Sequence, residues 1–127
     1  MPKILGQLAW FIIVGASAAV VHWLVAVAVV QTLALSPLLA NVVGWLVAFT
    51  VSFAGHYRYT FRQQQAPWGK AARRFFCVSA TGFIANELLY FYLLRTTSFS
   101  YEVLLAFVLI VIAFFTFILS RFWAFVR

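Results

Sequence analysis

Glu87 sits in an apolar stretch, Phe75 to Leu94, that carries no other charge. A charge deep in hydrocarbon costs roughly 2.5–3.5 kcal/mol on insertion scales, so a carboxyl there is a functional candidate by default. It can share a proton with a basic group or hold a hydroxyl-rich headgroup, and His22, in a second apolar stretch, is the natural imidazole partner. Asn41, Ser52 and Asn86 add neutral polar groups within the apolar stretches, so His22, Asn41, Ser52, Asn86 and Glu87 together read as a headgroup path or a proton-coupling set. A second set, Arg58, Arg62, Arg74 and Arg121, stands among aromatic residues at the edges of those stretches. Guanidinium groups bind phosphate with two parallel N–H donors, and lipid phosphates sit at that depth. Each set also has a plainer reading: polar side chains glue membrane helices together, and basic residues mark the cytoplasmic side of a membrane.

The elements that must position these residues follow from composition. Of 127 residues, 66% are hydrophobic and 9% charged, against roughly 25% charged in an ordinary soluble domain. Ile4 to Tyr57 contains no Lys, Arg, Asp or Glu, and as one helix it would run to about 80 Å, while a bilayer core is about 30 Å thick. It must fold back, and Leu35-Ser36-Pro37 supplies the turn because proline lacks an amide proton and drives its predecessor out of helical geometry. Phe75 to Leu94 and Val103 to Ser120 give two more spans. The predicted fold is an all-α integral membrane protein of four transmembrane helices, over approximately 8–34, 38–59, 74–95 and 102–122, forming a single domain across 1–127.

The net charge of +7 reads as topology rather than as nucleic-acid binding, and no nucleic-acid partner is expected. Lys3, Arg58, Arg62, Lys70, Arg73, Arg74, Arg121 and Arg127 fall on one side of a four-helix trace and Arg95 alone on the other, which predicts both termini in the cytoplasm. Ala16-Ser17-Ala18 resembles a signal-peptide cleavage site, but the apolar run continues to Val30, so no cleavage is expected. The single Cys77 has no partner. No nucleophile–base pair, metal-ligand cluster or Gly-rich phosphate loop is present, so neither catalysis nor a cofactor is expected.

Sliding the sequence by 64 positions lays 11–62 over 75–126 without a gap. Identities include Phe11/Phe75, Val14/Val78, Ala16/Ala80, Leu24/Leu88, Ser36/Ser100, Phe53/Phe117 and Phe61/Phe125, and His22 falls on Asn86. Each unit holds two helices, so both enter the membrane in the same sense: a parallel repeat of a helical hairpin. The connector from Gln63 to Phe75 reads as a surface loop. Small or polar residues share one face in three helices: Gly15, Ala18 and His22; Asn41, Gly44, Ala48, Ser52 and Gly55; Ser79, Gly82, Asn86 and Tyr90. The fourth helix carries Leu105, Val108, Ile112, Thr116 and Leu119 instead, and is expected to face lipid or a second subunit, making a homo-oligomer plausible.

Several short pieces fall in a familiar order: Phe11-x-x-Val14-Gly15, Ala40-Asn41, Ser52-Phe53-x-x-His56-x-x-Tyr59-Thr60-Phe61-Arg62, Arg74-Phe75 and Ser120-Arg121-Phe122-Trp123-Ala124-Phe125. Over essentially its whole length the chain resembles the GtrA-like family. It departs at His56, where that family commonly has Asn, and at His22, where Asn or Asp is frequent. The resemblance implies a multi-pass protein of the bacterial cytoplasmic (inner) membrane that flips a polyprenyl-phosphate-linked monosaccharide, supplying glycosyltransferases of cell-surface polysaccharide synthesis. Arg58, Arg62, Arg74 and Arg121 would then hold the phosphate, and His22, Asn41, Ser52, Asn86 and Glu87 would line the headgroup path. Two alternatives are a membrane scaffold that recruits a glycosyltransferase and a small multidrug-type proton antiporter. The antiporter is disfavoured because its essential Glu would stand in the first helix, whereas Glu87 is in the third.

Overall fold

The computed structural model describes the backbone of residues 2–127 and the side chains from Ile4 onward; the side chain of Lys3 lies outside the described residues. Helix α1 (Pro2–Leu33) ends where Ala34 turns left-handed, φ 55°, and returns its N–H to the Val30 carbonyl at 3.1 Å. This geometry closes a helix end by occupying a carbonyl the helix leaves free. Helix α2 (Pro37–Gly55) opens on Ser36, whose Oγ accepts the Leu39 N–H at 3.3 Å, with Pro37 in the first turn, where its missing donor has no consequence. Helices α3 (Trp68–Thr96) and α4 (Tyr101–Leu119) follow, and Ser100 caps α4 as Ser36 caps α2, its Oγ accepting the Val103 N–H at 3.4 Å. All four helices are long and apolar enough to cross a membrane.

The repeat extends to irregular features. Helix α2 runs into a π-helical turn, His56–Thr60, and α4 into another, Ser120–Ala124, 64 positions later. The Phe61 N–H reaches the His56 carbonyl at 2.9 Å, and the Phe125 N–H reaches the Ser120 carbonyl at 3.2 Å. Equivalent aromatic pairs recur across the bundle: Phe11 with Phe117 at 4.7 Å and Phe53 with Phe75 at 6.0 Å between ring centroids. Phe61 and Phe125, equivalent to each other, stack at 4.6 Å and 15°. Two equivalent residues can touch only near the axis that relates them, so an approximate two-fold passes between these rings.

Two apolar clusters hold the bundle. At the end that carries most basic residues, Phe11, Phe53, Phe61, Phe75 and Phe125 pack with Val78 and Ala124. At the other end Ala26, Ala40, Tyr90, Leu104, Leu105 and Val108 pack together, tied by Tyr90 Oη–H donating to the Tyr101 carbonyl and Trp23 Nε1–H to that of Glu102. The α1–α2 seam is close. A Cβ added at Gly44 would lie 2.6 Å from Cδ2 and 2.7 Å from the backbone oxygen of His22, and one at Gly55 would lie 2.5 Å from Cγ1 of Val14.

Two expectations need correction. The segment 63–75 is not mainly loop: a 3₁₀ turn, Arg62–Gln64, leads through Pro67 into α3 at Trp68. Lys70, Ala71, Ala72, Arg73 and Arg74 are strong helix formers, and Ala71 and Phe75 are buried, so the helix extends beyond its apolar span. Helix α4 is no more exposed than α1 or α3. Leu105 and Val108 are buried in the bundle and Ile112 packs beside them, so the stripe faces inward over these turns, while Leu119 at its end is exposed. Gly44→Ala, which puts a methyl against the His22 backbone, is expected to destabilise the detergent-solubilised protein by about 1–3 kcal/mol. Gly6→Ala, where nothing lies within 4 Å, should stay within about 0.5 kcal/mol in the same thermal unfolding assay.

Candidate functional site

The polar residues of α1, α2 and α3 converge on one side chain. Asn41 is fully buried, and its Oδ1 accepts a hydrogen bond from His22 Nε2–H at 2.6 Å. Its two amide protons go to Asn86 Oδ1 at 2.8 Å and Glu87 Oε1 at 3.1 Å. This arrangement uses both donors of Asn41 and fixes which way its amide points: with two acceptors on the nitrogen side, the oxygen must face His22, which therefore carries its proton on Nε2. His22 and Glu87 thus meet through Asn41 rather than directly. His22 and Asn86 are buried, and Glu87 is half-buried.

The node lies toward the end of the bundle away from the basic residues. Asn41 is about 6 Å along the α2 axis from Pro37, and Glu87 about 14 Å from the end of α3 at Thr96. A midplane position for Glu87 follows only if α3 starts near residue 74. Starting at Trp68, the helix has more length on the basic side.

Between the node and the basic end, all four helices line a cavity of about 120 Å³ that is open on one side. His22 and Asn86 face it at one end and His56 and Ser52 at the other, with Trp45, Phe49 and Phe83 in its wall and Ile112 and Thr116 contributed by α4. Trp45 Nε1–H donates to Ser79 Oγ at 2.7 Å, and the Trp45 ring stacks on Phe83 at 4.7 Å. At this volume the cavity has room for several waters but falls below the roughly 300–1,000 Å³ of typical ligand pockets.

The four arginines share one end of the bundle without forming one cluster. Arg58 and Arg62 are exposed and line one shallow crevice, and Arg121 lines another with Phe122 and Arg127. Among the described residues the buried Nε of Arg121 has no partner. Arg74 is differently engaged: its Nη1 donates to the carbonyls of Trp123 and Val126 at 3.1 and 3.2 Å, and its guanidinium lies over the Trp123 ring. It closes the end of the last helical turn, where carbonyls lack helical partners, and so is partly committed to structure.

His56 was absent from the expected site, yet it is buried, hydrogen-bonded through Nδ1 to Thr60 Oγ1 at 2.9 Å, and stacked on Phe11 at 4.8 Å. Its signal in the sequence is the helical spacing of His56 and Thr60. A relay of amides was also missed: Gln7 Nε2–H donates to Gln64 Oε1, and Gln64 Nε2–H to the Arg121 carbonyl, binding α1 to the 3₁₀ turn and the second π turn. Among the described residues, no three His, Cys, Asp or Glu side chains come together as metal ligands would.

A family model described as "GtrA/DPMS, transmembrane domain" matches residues 10–125, both hairpins included. The chain belongs to that family. It is a multi-pass membrane protein, and the family places it in lipid-linked sugar pathways. The GtrA-like family is generally one of non-catalytic membrane translocases and scaffolds. No curated protein and no solved structure matches the chain. The match gives no support to a multidrug-type antiporter.

The node makes a stability prediction. Asn41→Leu removes three hydrogen bonds and leaves His22, Asn86 and Glu87 each short of a partner. At roughly 0.6 kcal/mol per membrane hydrogen bond the loss should be about 2 kcal/mol. Unfolding of the purified protein in bicelles measures it.

Proposed function

We propose that the chain moves a polyprenyl-phosphate-linked monosaccharide across the bacterial cytoplasmic membrane, delivering it to glycosyltransferases that build cell-surface polysaccharide. The observation that carries this reading is the pairing of an arginine-bearing end with a polar node buried near the other end, across a cavity lined by all four helices. The excess of Lys and Arg at that end supports a cytoplasmic position for it. The physical task matches the side chains. A phosphate and a hydroxyl-rich ring cannot cross about 30 Å of hydrocarbon unaided. Arg58, Arg62 and Arg121 gather the phosphate, with Arg74 holding the rim in shape; Ser52, Asn86, His22, Asn41 and Glu87 then offer hydroxyl partners in turn, while the prenyl tail stays in lipid.

A cavity of about 120 Å³ is smaller than typical ligand pockets, so in this reading the helices part to widen its open side as the headgroup passes. The α1–α2 seam, where Gly44 meets the His22 backbone and Gly55 meets Val14, is too close-packed to open cheaply. Parting between the two hairpins fits better. The same small cavity favours a second reading, a scaffold that holds a glycosyltransferase and moves no lipid.

Transfer of a short-chain polyprenyl-phosphate-linked sugar in proteoliposomes separates the two. For a translocase, Glu87→Gln and Arg121→Ala are each expected to lower the transfer rate at least about tenfold, equivalent to about 1.4 kcal/mol, with expression unchanged. Normal transfer in both would remove these roles. Capture of a glycosyltransferase by a wild-type protein that transfers nothing would establish the scaffold.

A further inference from the structure

At the arginine-bearing end, beside α1, a crevice of about 250 Å³ lies outside the central cavity, lined by Gln7, Trp10, Tyr59, Thr60 and Arg62 among others. Three of its features point to one class of ligand. First, Gln7 has a buried Oε1 with no partner among the described residues. The amide relay fixes this orientation: the Arg121 carbonyl can only accept, so Gln64 must turn its nitrogen there and its oxygen to Gln7, which must answer with its own nitrogen. The remaining oxygen needs a donor, since an unsatisfied buried acceptor is costly. Second, Arg62 brings a positive charge, which repels a cationic donor and attracts an anion. Third, Trp10 and Tyr59 stack at 4.8 Å and 18°, giving a flat apolar wall.

The second hairpin shows what this place looks like when the chain fills it itself. At the equivalent positions Ala71 stands for Gln7 and Arg74 for Trp10, and the Arg74 guanidinium lies on Trp123 and donates to two carbonyls. In the first hairpin Trp10 lies on Tyr59 in the same way but donates to neither equivalent carbonyl, that of Tyr59 or of Arg62. We propose that the crevice of Gln7, Trp10, Tyr59 and Arg62 reads the sugar of a glycosyl-phosphate lipid headgroup at the membrane interface. The ligand shifts the side chains that now cover Gln7 Oε1 so that a sugar hydroxyl donates to it, the C–H face of the ring packs on the Trp10–Tyr59 wall, and Arg62 meets the phosphate. The inference rests on the translocation reading and adds to it a site that distinguishes a glycosylated lipid phosphate from a bare one.

The test measures binding of citronellyl phosphate, with and without a sugar from a panel of hexoses and N-acetylhexosamines, to the purified full-length protein in nanodiscs. The wild type should prefer at least one glycosylated lipid by about tenfold, the scale of one satisfied hydrogen bond plus a ring contact. Gln7→Leu and Trp10→Leu should bring the ratio close to one. Trp10→Phe, which keeps a ring on Tyr59, should retain the preference and shows that the Leu variant is not merely misfolded. Arg62→Gln should weaken both lipids. A preference that survives Gln7→Leu and Trp10→Leu, or equal wild-type binding of bare and glycosylated lipids, overturns the crevice while leaving lipid-phosphate recognition intact. Binding of neither lipid overturns both readings. Soluble hexose 1-phosphate binding as tightly as the lipid overturns the assignment to a lipid headgroup.

Discussion

Polar groups inside a bilayer have no water to fall back on, and this bundle is organised around that fact. Asn41 answers it most completely: one side chain with two donors and one acceptor meets an imidazole, an amide and a carboxyl from two other helices. Backbone groups meet the same demand. The serine caps, the left-handed Ala34, the Arg74 clamp on the last carbonyls and the glutamine relay to Arg121 all supply partners where a helix runs out of its own. Packing comes second, and it is largely aromatic at the arginine-bearing end and aliphatic at the other.

Much of this was legible because the bilayer constrains so strongly. Span lengths, the Leu35-Ser36-Pro37 turn and the repeat needed no knowledge of contacts. The small-residue faces of α1, α2 and α3 correctly marked inner surfaces: Gly44 and Gly55 are close against α1, and Ser79, Gly82 and Asn86 line the cavity. What misled was treating polarity as the only sign of an inner face. Leu105 and Val108 are as buried as any polar residue, because hydrocarbon and protein interior are equally apolar and hydropathy cannot tell them apart. Likewise, the start of α3 escaped notice because its first two turns are basic, and only Ala71 and Phe75 anchor it inward.

The site was legible as a set of residues but not as a geometry. His22 and Glu87 looked like a pair because the repeat gave them similar depth, yet the contact runs through Asn41, a connection that depends on how α2 packs between α1 and α3. The four arginines shared a depth in sequence, but their side chains have different work: Arg74 is bound to carbonyls while Arg58 and Arg62 stand free of the helix ends. Side-chain assignment of this kind needs the third dimension.

The approximate two-fold axis between Phe61 and Phe125 has one conspicuous exception. The counterpart of Asn41 is Leu105, so the hub exists once, and α4 brings hydrocarbon to the place where α2 brings an amide. A perfectly symmetric bundle would present an amphiphilic molecule with two identical walls and no reason to orient. Here three helices bring an imidazole, two amides and a carboxyl together, while the fourth adds one hydroxyl, Thr116, and otherwise hydrocarbon, so the interior has a wetter side and a drier side. Duplication supplied the frame, and the mismatch of Asn41 with Leu105 gives that frame a direction across its width.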